Sequence, residues 1–101
     1  MANARPTPAI IQDYVQCILG HWAGDLGFSP SVFTTMRAAG LDQADVLFAL
    51  ETGLVTSIMK EEAHETFFEM VGETPDGKRL KLMLSFSPHV DGLCVCEIAQ
   101  P

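Results

Sequence analysis

The chain has 101 residues, 48% hydrophobic and 19% charged, with 13 acids against 6 Lys and Arg and a formal net charge of −7. This balance fits one folded domain and excludes a disordered chain, which needs fewer apolar residues and more net charge. It also argues against nucleic acid, whose phosphates are bound by cations that displace counterions, and it suits solubility or docking onto a basic partner.

No apolar run approaches the roughly 20 residues of a membrane helix. Gln12, Asp13 and Gln16 interrupt the apolar stretch near the N-terminus, so it reads as a helix of the mature protein and not as a signal peptide. Three cysteines, an odd number, do not suggest a disulfide framework, and the expected compartment is a reducing cytoplasm.

Residues 1–6 read as a flexible leader and residues 7–101 as a single domain. Thr7-Pro8 is a helix start, with a capping side chain followed by a proline whose missing N–H is harmless there. Ile11, Tyr14, Val15 and Ile18 make one apolar helical face, and Gly20 stops it. His21 to Phe28 (HWAGDLGF) reads as a glycine-punctuated connection ordered by Trp22 and Phe28. Ser29-Pro30 repeats the start signal, Val32, Phe33 and Met36 line a short helix, and Gly40 ends it. Asp42 caps a third helix, with Asp45 in its first turn. Its expected buried stripe is Val46, Leu47 and Leu50, and Gly53 closes it. Leu54 to Met59 is extended, and Lys60-Glu61-Glu62 is expected to turn the chain.

The stretch from His64 to Ile98 organises the rest. Asp76-Gly77 after Pro75 is a hairpin turn, because glycine accepts the positive φ that such turns require. Folding there pairs Thr74 with Lys78 and sets Thr66, Phe68 and Met70 opposite Phe86, Leu84 and Leu82. The other face then sets Glu73 opposite Arg79, Val71 beside Lys81 and Glu69 beside Met83. A slip of one residue would turn the leucines out to water. The final strand, Leu93 to Ile98, is apolar on both sides apart from Glu97, as expected of a doubly covered strand or one with a contact surface. The fold class is therefore α+β, with two to three N-terminal helices packed on a three- or four-stranded antiparallel meander.

Each chemical candidate has a plainer alternative. Cys94 and Cys96, two apart in a strand, present both sulfurs on one face. A closed zinc site needs four ligands, however, and small cysteines in a strand commonly just pack. His21, His64 and His89 lack an adjacent nucleophile and acid. Lys78, Arg79 and Lys81 read either as a phosphate patch or as cross-strand partners of Glu73 and Glu69. Glu61, Glu62, Glu65, Glu69 and Glu73 read as a solvated strand surface, or as an acidic rim around Phe67, more readily than as a magnesium site. No cofactor is expected.

From Ser31 to Ile98 the layout resembles a family of small bacterial domains of unknown function, loosely related to the RelE and BrnT toxins. The family shows a helix of the type H-A-x-x-R-M-x-x-R-G followed by Ile or Leu, a short helix ending in ALENG, and a hairpin G-x-T-x-D-G-R-x-L. The matching segments are Ser31 to Leu41 (SVFTTMRAAGL), Asp45 to Gly53 (DVLFALETG) and Gly72 to Leu80 (GETPDGKRL). The resemblance implies a RelE-like fold. The family's helix histidine falls on Ser31 and its two arginines on Thr35 and Ala39, so it carries over no catalytic role. Without such cations RNA cleavage loses its main electrostatic stabilisation.

The expectation is therefore a non-enzymatic cytoplasmic domain that binds a protein partner or a second copy of itself. Glu65, Phe67 and Glu69 on the hairpin, with Leu93 and Val95 on the last strand, are its expected contact residues. The alternative is a RelE-type RNA-cleaving toxin with relocated groups His64, Arg79 and Lys81. A small metal protein using Cys94 and Cys96 is the third option.

Overall fold

The computed structural model describes residues 7–20, 25–62, 65–87 and 90–100. The expected leader, together with His21, Trp22, His64 and His89, lies outside the described residues, as does the side chain of Ile18. The first helix, α1, is Pro8–Gly20. Thr7 opens it, its carbonyl accepting from Ile11 N at 3.0 Å and its hydroxyl from Ile10 N at 3.3 Å. Ile11 and Val15 are fully buried, and Tyr14 stacks on Phe86 with ring centroids 4.7 Å apart.

The expected connection after α1 contains a strand, β1 (Asp25–Phe28), lying parallel to the last strand, β5 (Val90–Ala99). Four residues including a glycine show too little periodicity to announce a strand, and what holds them is pairing with a distant segment. Ser29 extends the match, its N–H donating to Val95 O at 3.0 Å and its hydroxyl to Cys96 O at 3.1 Å.

Helix α2 (Pro30–Ala39) ends at Gly40, whose φ of 70° lets Gly40 N and Leu41 N turn back onto Arg37 O and Met36 O. Val32 and Met36 are buried. Phe33 is not part of the core: it is 44% exposed and lies against Phe28, with ring centroids 5.6 Å apart.

Helix α3 (Gln43–Thr52) begins with a reciprocal cap, Asp45 N donating to Asp42 Oδ1 at 2.8 Å and Asp42 N to Asp45 Oδ2 at 3.1 Å. Its buried stripe is Val46, Ala49 and Leu50, and Leu47, expected inside, is exposed. The small residue replaces the large one because α3 meets the sheet backbone directly. A Cβ on Gly72 would stand 2.1 Å from Ala49 O, so only glycine fits beneath the helix.

Strand β2 (Leu54–Glu62) runs straight through Lys60, Glu61 and Glu62, so the expected charged turn is part of the strand. It pairs antiparallel with β3 (Glu65–Glu73) through two bulges, β3 with β4 (Arg79–Ser87), and β4 with β5. The sheet order is β1-β5-β4-β3-β2. The fold is α+β as expected, but the sheet has five strands and is mixed, because β1 is parallel to its neighbour.

The hairpin register matches the sequence pattern residue for residue: Phe68 faces Leu84, Met70 faces Leu82 and Glu73 faces Arg79. Beneath the helices, the inward side chains of β3, β4 and β5 join Ile11, Val15, Val32, Met36, Val46 and Leu50 in one core. Every described helix therefore serves the same side of the sheet.

Candidate functional site

With the helices on one side, the other side of the sheet is left uncovered among the described residues, and period-two alternation dictates what it displays. Along β3, Thr66, Phe68 and Met70 are buried, whereas Glu65, Phe67, Glu69 and Val71 are half-buried. Met83 beside Glu69, and Cys94 beside Ser85, extend this outer side across β4 and β5. At the β2 edge, Leu54 and Met59 are 67% and 55% exposed. The surface is thus a mixture of apolar side chains and charges, not the evenly polar face of a merely solvated sheet.

Glu65, Phe67 and Glu69 all belong to this side, as expected. Leu93 and Val95 do not: they are core residues, 3% and 0% exposed, and cannot meet a partner. Helices α1 and α2 decide this by covering the side of β5 on which those two residues point. Among its described side chains, β5 offers outward Cys94, Cys96, Glu97 and Ala99. Cys96 occupies a bulge, the extra residue between the Leu84–Val95 and Met83–Glu97 pairs.

Glu69 is held at both oxygens: Thr56 Oγ1 donates to Oε1 at 2.7 Å, and Lys81 Nζ lies 3.6 Å from Oε2. That pair realises one of the two expected cross-strand contacts and takes up Lys81. The other is missing. Arg79 stands opposite Glu73 in register but makes no ion pair or hydrogen bond among the described residues. Among the described residues, the Lys78 side chain reaches only Asp76, at 4.0 Å. Asp76 in turn accepts from the Thr74 hydroxyl, which holds its carboxyl below the ordinary value of 3.8.

The cysteines share a side without forming a ligand set. Cys96 Sγ lies 3.6 Å from Ser85 Oγ, and both Cys94 and Cys96 are free thiols. Partial burial, then the neighbouring Cys96 and finally Glu65, push the Cys94 thiol up and keep it protonated near neutral pH. Among the described residues, no group of three His, Cys, Asp or Glu side chains converges.

Sequence reasoning overlooked one region. A groove of about 670 Å³ lies where the C-terminal end of α3 meets the hairpin, lined by Phe48, Leu54, Thr56, Val71, Glu73 and Arg79 among others. Phe48 and Leu54 are both exposed there. Leu54, a large apolar residue directly after the helix-ending Gly53, was the one signal in the sequence.

Among known proteins, no family model, no curated protein and no solved structure matches this chain. No described helix is long and apolar enough to cross a membrane.

Proposed function

We propose that the chain is a non-enzymatic, cytoplasmic protein-binding or regulatory domain of RelE-like type that lacks the catalytic cations of such toxins. The partner is a protein presenting an apolar side chain flanked by Lys or Arg. One observation carries this reading: Phe67 lies half-buried on the uncovered side of the sheet between Glu65 and Glu69, with Lys60 and Ser85 opposite it on β2 and β4 and Met83 diagonal to it. A central aromatic anchor with a charged rim is the usual form of a strong contact. The net charge of −7 adds attraction toward a basic partner.

The RNA-cleaving alternative has little to draw on. On the outer side of β4, Lys81 is engaged with Glu69 and Arg79 has no partner among the described residues, while His64 lies outside them. Expression in bacteria should leave growth unchanged, and growth arrest relieved by Arg79→Ala would favour the toxin instead. The direct test is a photo-crosslinking amino acid placed at Phe67 and, separately, at exposed Asp13 on α1. A discrete adduct at position 67 alone is the expected result, and equal labelling at both positions would sink the proposal.

A further inference from the structure

The groove beside α3 combines three features that a peptide ligand would use. The first is an open backbone edge. Thr74 N donates to Lys78 O at 2.9 Å, so Thr74 turns its hydrogen-bonding groups toward β4. By alternation, Glu73 turns its own N–H and C=O the opposite way. On that side β2 would be the neighbour, but β2 begins at Leu54, opposite Val71. The residue that would face Glu73 is Thr52, and it belongs to α3. Among the described residues, the peptide group at Glu73 thus faces the groove with no strand beside it.

The second feature is charge. Arg79 lines the groove and is unpaired among the described residues, although Glu73 stands opposite it in register. A guanidinium has five donors in a fixed fork that suits a carboxylate. The third feature is apolar area. Leu54 and Phe48 are 67% and 39% exposed at the same place, with Val71 between the strands.

The start of β2 shows by contrast what closing an edge looks like. The Gln12 side chain on α1 accepts from Val55 N at 2.6 Å and donates to Gly53 O at 3.1 Å, standing in for a neighbouring strand. No such side chain serves Glu73 among the described residues.

We propose that this groove receives an extended segment of another protein, added as a short strand along β3 at Glu73, with an acidic side chain of that segment on Arg79 and an aliphatic one on Phe48 and Leu54. Main-chain hydrogen bonds then give affinity, and the two side-chain contacts give selectivity. This deepens the protein-binding reading and rests on it, while using a different part of the surface from Phe67.

The test begins with amide exchange on the free full chain. Glu73 N–H should exchange much faster than those of Gly72 and Thr74, and equal protection of all three would remove the open edge. A randomised octapeptide library is then panned against the immobilised chain. Peptides with Asp or Glu close to an aliphatic residue should be enriched. Arg79→Glu should lose that acidic preference, and Glu73→Gln should tighten the selected peptide several-fold by removing a repulsion. N-methylating the peptide's central amides should weaken it at least tenfold. Arg79 and Glu73 are exposed, so unchanged thermal unfolding verifies that both variants are folded.

Failure to enrich any peptide, selection indifferent to Arg79→Glu, or binding that survives N-methylation would each overturn the proposal. Tighter binding of an oligouridylate probe at Arg79 would do so as well. If these fail while position 67 still captures a partner, only the groove is refuted. If position 67 fails as well, the protein-binding reading goes with it.

Discussion

Phe67 and Phe68 are adjacent in the chain and live in different worlds. Phe68 is fully buried beneath the helices, with its ring centroid 6.0 Å from that of Phe86, which in turn meets Tyr14. Phe67 faces outward between Glu65 and Glu69, half-covered by its neighbours in the sheet. The same side chain therefore serves folding at one position and is available for contact at the next. On a sheet with helices on a single side, a buried position and an open one are separated by one residue.

Truncation gives the sharpest contrast. Phe68→Ala should destabilise the domain by about 4 kcal/mol, the usual cost of emptying a core aromatic site. Phe67→Ala should cost no more than about 1 kcal/mol, as for a partly exposed position, while abolishing partner capture by the same crosslinker placed at neighbouring Glu65. Denaturant unfolding of the two variants measures this, and equal losses would erase the distinction between the two sides.

A somewhat smaller loss is expected where the helical layer touches the sheet backbone. Gly72→Ala drives a methyl group into Ala49 O and should cost about 3 kcal/mol through displacement of α3, seen as a lowered unfolding midpoint. Smaller again is Gln12→Leu, which keeps the bulk and removes the amide. Val55 N–H and Gly53 C=O lose their partner, and the expected loss is about 1–2 kcal/mol. Faster amide exchange at Val55 should accompany it.

The least effect lies at the exposed hairpin tip. The Asp76 carboxyl, stabilised by the Thr74 hydroxyl, titrates below its ordinary value of 3.8. Because its folded value is depressed, this contribution is present above the unfolded value and is lost as pH falls through the folded one. Titration of Asp76 followed by NMR should show the lowered value, and Thr74→Val should return it toward normal.

The hairpin was the most legible part because two independent signals coincide there: a turn that requires glycine, and an apolar period of two that tolerates one register. The helix starts at Thr7, Ser29 and Asp42 were legible for a similar reason, since capping depends on residues only a few positions away. Leu47 and Ala49 could not be ranked from α3 alone. A large residue ordinarily outranks a small one in the core, and only contact with Gly72 reverses the order. Strand β1 left no local trace, because its stability comes from β5, more than sixty residues further on.

The candidate surface divides in the same manner. Glu65, Phe67 and Glu69 could be assigned to one side from alternation alone. For Leu93 and Val95 alternation said only that they point the same way, and the helices made that way inward. The expected pairing of Arg79 with Glu73 was sound in register but not realised in side-chain geometry, a distinction that sequence spacing does not encode.

By itself the sequence determined the local order of helices, the hairpin and its register, since each depends on hydrogen bonds and side-chain periods within a short stretch. Only the tertiary structure decided which side of the last strand is hidden, that Gln12 closes the edge of β2, and that the peptide group at Glu73 and the guanidinium of Arg79 are left open to a groove. Those outcomes depend on how segments far apart in the chain cover one another.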